Sequence, residues 1–99
     1  MTHTLIERFQ NVATIVGNVW WFQPLDAIQI VEVAKAEGIR LLGFDGATIG
    51  DGWIQPSMAD SRDYSVGELA TIADPYEHAK EFIKRRSNAD LYFEIVLAR

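Results

Sequence analysis

The sequence predicts a single α+β domain over residues 1–99, in which three helices pack on a small mixed or antiparallel β-sheet of about three to four strands. Three segments repeat apolar residues at helical spacing, and the last of them leads directly into an alternating apolar strand. A length of 99 residues is close to the usual size of one domain and leaves room for one hydrophobic core.

The first helix is predicted from Leu5 to Val16. Thr4 can cap its N-terminus, with Glu7 three residues later as in a capping box. Gly17-Asn18 is expected to end it. The residues that recur at helical spacing are Leu5, Ile6, Phe9, Val12, Ala13 and Val16.

The second helix is predicted from Leu25 to Glu37, after Pro24 at the first helical position. Most of its circumference is apolar, which indicates packing on two sides. Gly38 suits the left-handed conformation that stops a helix.

The middle of the chain predicts strands and loops. Ile39–Asp45 is typical of a strand, and Gly46 and Gly50-Asp51-Gly52 are turn residues. Trp53–Gln55 is a candidate second strand that Pro56 would restrict to a sheet edge or end. The remaining segments are Ser57–Gly67, expected to be the longest loop, and Glu68–Ala73, which fits either a short strand or irregular structure.

The last quarter has the clearest local signal. Asp74 can cap a helix that has Pro75 in its first turn and Glu77 placed to reach back, and the helix runs to about Arg86. After a turn at residues 87–90, Leu91–Leu97 is expected to be a strand with both faces largely covered.

Composition excludes several functional classes. The formal net charge of −5 opposes nucleic-acid binding and favours a basic partner or simple solubility. No apolar stretch approaches the roughly 20 residues that span a bilayer, and no signal peptide is expected, so the cytoplasm is the default location. There is no Cys, and His3 and His78 are the only imidazoles. We therefore expect no enzyme activity, no metal site and no cofactor.

The candidate contact residues are acidic and aromatic. A rigid frame that presents carboxylates and one or two aromatic side chains is typical of a protein-binding surface. Packing in the core is the favoured interpretation for at least two of the three tryptophans. Adjacent Trp20 and Trp21 cannot easily both point inward, so one of them is the best single candidate for an exposed contact or a self-association patch. The expected set is Asp45, Asp51, Trp53, Asp60, Asp63 and Tyr64 in the middle of the chain, with Trp20 and Trp21.

From Leu25 onward, four features follow one another in a distinctive order. They are the helix that leads into Ile39–Asp45, Asp51-Gly52 with Trp53, Ala79 with Phe82-Ile83 in a helix, and the strand Tyr92–Val96. This order resembles the small immunity proteins of bacterial polymorphic toxin systems, the family numbered forty, over roughly three quarters of the chain. The resemblance implies an α+β fold and the neutralisation of a cognate toxin made by the same cell, and it carries over no catalytic residues.

Three functions remain in competition. The first is an immunity-type inhibitor that binds a protein partner, such as a basic toxin domain, with no membrane or nucleic acid involved. The second is a small-molecule or regulatory binding domain, with a homodimer through the Trp20-Trp21 segment as one open option. The third is an enzyme that pairs His78 with an Asp or Glu of the middle loops.

Overall fold

A computed structural model describes residues 3–87 and 90–99, and these form an α+β fold as predicted. The helices are α1 (Thr4–Glu7), α2 (Pro24–Ala36) and α3 (Pro75–Arg85). The strands are β1 (Thr14–Val16), β2 (Val19–Trp21), β3 (Leu41–Gly50), β4 (Trp53–Asp63) and β5 (Leu91–Leu97). Short 3₁₀ turns occupy Gln10–Val12 and Gly67–Thr71.

The strands form two antiparallel sheets. β3 lies between β4 and β5 in a three-stranded sheet, and β1 and β2 form a separate two-stranded hairpin. A bridge between Phe22 and Phe93 links the two sheets. Each of these residues donates its N–H to the carbonyl of the other at 2.8 Å.

The core lies between the three-stranded sheet and the helices. β5 alternates as predicted, because its odd-numbered residues are buried and its even-numbered residues are half-exposed. We call the side that packs on α2 and α3 the helix face. The opposite side, the open face, carries Asp45 of β3 and Tyr92, Glu94 and Val96 of β5.

The prediction of a first helix from Leu5 to Val16 is wrong beyond its first turn. α1 is one turn long, and its cap is the Nδ1 of His3, which accepts a hydrogen bond from the N–H of Leu5 at 3.0 Å, so Thr4 is not the cap. The following residues form β1, which turns back through Gly17-Asn18 to pair with β2. Four of the last five residues before the turn are β-branched, and such residues favour a strand over a helix.

The prediction of the second helix is confirmed. α2 begins at Pro24, and Gly38 adopts the left-handed conformation with φ of +69°. The helix packs against α3 and β5, so it is covered on two sides. Leu25 is the exception to its apolar face, because 79% of this residue is exposed.

The middle segment is more regular than predicted. β3 continues straight through Gly46, which is not in a turn, and β4 extends to Asp63 through most of the expected Ser57–Gly67 loop. Gly46 is required for close approach, since a Cβ there would lie 2.6 Å from the carbonyl oxygen of Asp60. β4 is an edge strand, as the presence of Pro56 predicted.

The predicted helix and strand of the last quarter are confirmed where the structure describes them, whereas the expected contact of Glu77 with the cap is not formed. Asp74 caps α3 by accepting a hydrogen bond from the N–H of Glu77 at 3.1 Å. The Glu77 carboxylate contacts Lys35 and Lys80 instead of reaching back to the cap. Of the predicted turn before β5, Asn88 and Ala89 lie outside the described residues.

None of the helices in residues 3–87 and 90–99 combines the length and the apolar character that a membrane crossing requires.

We predict that Gly46→Ala destabilises the protein far more than Gly50→Ala. The new methyl group at position 46 meets the main chain of Asp60, so the backbone must move, at a cost of about 2 kcal/mol in the free energy of unfolding. At position 50 it meets only the Trp53 side chain, which can rotate away, so we expect a loss below about 1 kcal/mol. Urea unfolding measures both, and equal losses would contradict the close approach at Gly46.

Candidate protein-binding surface

The β3–β4 hairpin projects beyond the rest of the sheet. β5 pairs with β3 only as far as Thr48, whereas β4 continues to pair as far as Gly50 opposite Trp53. The tip, residues 49–54, is therefore a two-stranded extension that ends in the Asp51-Gly52 turn. Asp51 is exposed there.

Trp53 lies at this tip with 52% of its surface exposed. Its indole ring rests directly on the main chain of Gly50, the residue opposite it in the ladder. Any side chain at Gly50 would occupy the place of the ring. The indole therefore has a fixed support on one side while the other side remains open to solvent.

β4 contains a bulge about halfway along its length. Between the pairs Gly46–Ser57 and Phe44–Arg62, β4 advances five residues while β3 advances two. The hydroxyl of Ser61 accepts a hydrogen bond from the N–H of Gly46 at 3.1 Å and donates to the carbonyl of Ser57 at 2.8 Å. The extra residues are thus tied to β3 by side chains in place of the regular ladder.

Asp60, an expected contact residue, mainly stabilises this bulge. One carboxylate oxygen accepts a hydrogen bond from the Ser57 hydroxyl at 2.7 Å. The other is buried and has no hydrogen-bond partner among the described residues, with a guanidinium nitrogen of Arg86 3.7 Å away. Met58, in the same bulge, is 86% exposed.

Asp45 and Asp63, by contrast, are exposed and come together at the base of the hairpin. Asp63 lies opposite Gly43, two residues from Asp45 along β3. Both aspartates line a depression of 240 Å³, together with Gly43, Ser65 and Val96. Hydrogen bonds from the side chain and N–H of Ser65 lower the pKa of Asp63 and keep it ionised.

Glu94 belongs to the same surface, although the sequence did not single it out as a contact residue. It lies directly opposite Asp45 in the β3–β5 ladder, on the open face. Burial first, and then the charge of Asp45, raises the pKa of Glu94. A lone carboxylate in an otherwise apolar strand is unusual and could have indicated a contact residue. The sequence does not reveal that it lies beside Asp45, because the two residues are far apart along the chain.

Tyr64 is not available as a contact residue. Only 5% of it is exposed, its ring packs against Phe44, and its hydroxyl lies 2.7 Å from the Nδ1 of His78. Burial raises the pKa of Tyr64, so it remains neutral. The chain turns inward immediately after Asp63, and this turn places the ring within the core.

Trp20 and Trp21 lie at the other end of the sheet, away from the hairpin tip. Trp21 is only 6% exposed, and its indole N–H is buried without a hydrogen-bond partner among the described residues. Trp20 is half-buried and packs against the core. Alternation along β2 directs the two rings to opposite sides of the strand, so Trp21 is buried on one side while Trp20 lines a cleft on the other.

The structure does not bring His78 together with the carboxylates of Asp45 and Asp63. His78 is on α3, which packs on the helix face, whereas these two residues are on the open face. Within residues 3–87 and 90–99, no group of three or more His, Asp or Glu side chains could hold a metal ion.

We predict that Glu94→Gln stabilises the protein at neutral pH. Because the pKa of Glu94 is raised in the folded state, ionisation of this carboxyl opposes folding above that pKa. Removal of the charge should raise the free energy of unfolding by about 0.5 kcal/mol at pH 7, the usual scale for like charges on opposed strand residues. The gain should vanish below about pH 4, where Glu94 is protonated in both the folded and the unfolded chain.

Urea unfolding of wild type and Glu94→Gln at both pH values provides the measurement. Glu32→Gln, on an exposed position of α2, is the control and should change stability little at either pH. An equal gain at both pH values would mean that packing of the amide causes the effect, and not loss of the charge.

Comparison of this chain with models of protein families finds no match, and comparison with curated proteins finds none either. We therefore infer a function from the geometry of the surface and from the resemblance in the sequence.

Proposed function

We propose that this chain is an immunity-type inhibitor that binds a basic toxin domain of its own cell through the β3–β4 hairpin. The observation that carries the proposal is the hairpin itself, which projects beyond β5 and exposes Asp51 and Trp53 at its tip and Asp45 and Asp63 at its base.

The charge of the hairpin supports a basic partner. Residues 41–63 contain four carboxylates and one arginine. The guanidinium of that arginine, Arg62, lies 4.3 Å from the centre of the Phe82 ring, on the helix face. Arg62 also lines the depression that Asp45 and Asp63 share, but the carboxylates of residues 41–63 outnumber this single positive charge. Such a surface would speed the encounter with a basic partner.

The tryptophan supports a protein partner. Tryptophan is enriched among the residues that contribute most to binding energy at protein interfaces, and Trp53 is 52% exposed. The Trp53 ring already rests on Gly50 in the unbound protein, so one of its faces is covered before a partner binds.

The size of the depression at the base of the hairpin also favours a protein partner over a small molecule. Its volume of 240 Å³ is below the roughly 300–1,000 Å³ usual for small-molecule pockets. The residues that resemble the immunity family, Ile39–Asp45 and Asp51-Gly52 with Trp53, lie in or beside the same hairpin.

We predict that hairpin variants lose protection against the partner. The test co-expresses this chain with the product of the adjacent gene and measures growth, and then measures binding of the purified pair. Trp53→Ala should weaken binding about 30-fold, the size of a typical interface anchor. Asp45→Asn with Asp63→Asn should slow association and reduce its dependence on salt.

Two control variants lie on α2, away from the hairpin. Leu25→Ala removes an exposed apolar side chain, and Glu32→Gln removes an exposed charge, so both should bind like wild type. A neighbour that is neither toxic nor bound would refute the immunity function. Binding that all the hairpin variants retain would refute the assignment of the surface.

A further inference from the structure

β5 has one fully paired edge and one largely open edge. The main-chain N–H and C=O groups of its even-numbered residues point towards β3. The same pattern extends to Ala98, whose N–H donates to the carbonyl of Arg40 at 2.9 Å. The main-chain groups of Phe93 point to the opposite edge of the strand, because both of them bond to Phe22. Successive strand residues direct their main-chain groups to opposite edges, so Ile95 and Leu97 also face away from β3.

Beyond Phe93, nothing in the described part of the chain pairs with this edge. β2 separates from β5 on the side of Trp20, and a cleft of 170 Å³ opens between them. Trp20, Ile6 and His3 line one side of the cleft, and residues 94–97 line the other. Because the side chains of residues 94–97 alternate between the two faces, a cleft that all four residues line runs along the edge of the strand. Asn18 and Arg99 also line it.

The two outer edges of the sheet are treated differently. The edge of β4 carries Pro56 and the bulge, both of which discourage pairing with another strand. Leu91–Leu97 contains no Pro, no Lys and no Arg, and the β5 ladder has its irregularity in β3, not in β5. The open edge of β5 is therefore a straight, unguarded template for a further strand.

We propose that this edge binds an extended segment of a partner protein, which adds to the sheet as a strand antiparallel to β5. The main-chain groups of Ile95 and Leu97 supply four hydrogen-bonding positions at two-residue spacing, and only an extended polypeptide matches that spacing. This edge lies across the sheet from β4, so binding here is separate from the proposed function of the hairpin. It does not depend on whether the hairpin binds a toxin.

The surroundings of the edge define the side chains that the segment should carry. A residue opposite Ile95 or Leu97 points to the helix face, where Ile6 and Trp20 line the cleft, and should be apolar. A residue opposite Val96 points to the open face beside the carboxylates of Glu94 and Asp45, and should be basic. The expected pattern is apolar–basic–apolar.

Hydrogen exchange of the free protein is the first test. The amides of Ile95 and Leu97 should exchange on the order of a hundredfold faster than those of Glu94 and Val96, which bond to β3. Protection of Ile95 and Leu97 that increases with protein concentration would mean that a second copy occupies the edge. Protection at all concentrations would mean that the chain covers its own edge, and either result overturns the proposal.

Titration of the ¹⁵N-labelled protein with the peptide acetyl-Thr-Val-Lys-Val-Thr-amide is the second test. We expect shifts and slowed exchange at the Ile95 and Leu97 amides. N-methylation of both valines should abolish binding, because their amides face β5 in this register, whereas N-methylation of the lysine should preserve it. Replacement of the peptide lysine by glutamate should weaken binding about two- to fivefold, and Glu94→Gln in the protein should have an effect of the same size.

The matched peptides make the outcome decisive. They share length and side chains and differ only in the number and position of their N-methyl groups. Equal binding of the two methylated peptides, shifts confined to other parts of the protein, or no shift at millimolar peptide would each overturn the proposal.

Discussion

The paired hydrogen bonds between Phe22 and Phe93 hold the N-terminal part of the molecule to the rest. Both phenylalanine side chains are completely buried in the core, so the bridge also fixes two of its largest residues. α2 begins at Pro24, immediately after the bridge, and its first turn is therefore positioned by β5. Because the attachment is so short, β2 can separate from β5 on one side, and the cleft beside Trp20 results from that separation.

The open face carries neighbouring carboxylates whose mutual repulsion opposes folding. Asp45 lies opposite Glu94, and Asp63 is added beside them by the register that follows the bulge. Replacement of either opposed carboxylate by an amide would remove a repulsion without loss of core packing. Residues that oppose folding in this way are more common at functional surfaces than elsewhere, which supports an acidic binding face.

The sequence predicted the elements whose own periodicity is strong. α2, α3 and β5 have regular apolar patterns and clear end signals, and these local features are sufficient to define them. The segment Leu5–Val16 has the same helical spacing, but its β-branched residues and the Gly17-Asn18 turn favour a hairpin, and pairing with the following strand decides the result. β4 escaped prediction beyond Gln55 because its bulge destroys the alternation that identifies a strand.

The same difference between local and long-range determinants applies to the candidate contact residues. Exposure of Asp45, Asp51 and Trp53 follows from local polarity and turn chemistry, and a single sequence can indicate it. Burial of Tyr64 depends on what packs over it, and its partners, such as His78 of α3, come from distant elements. Glu94 was missed as a contact residue for this reason, since only the strand order places it opposite Asp45.

The bulge in β4 connects the two proposed surfaces. It prevents a further strand from adding at Pro56–Ser61, so the unguarded edge of β5 is the one that remains for a partner strand. It also turns Arg62 onto Phe82 and brings the chain inward to Tyr64, leaving Asp63 as the last exposed residue of the hairpin. Its cost is a buried oxygen of Asp60 that lacks a hydrogen bond among the described residues. A local feature that is unfavourable in itself is thus retained where it protects one edge and exposes the acidic face.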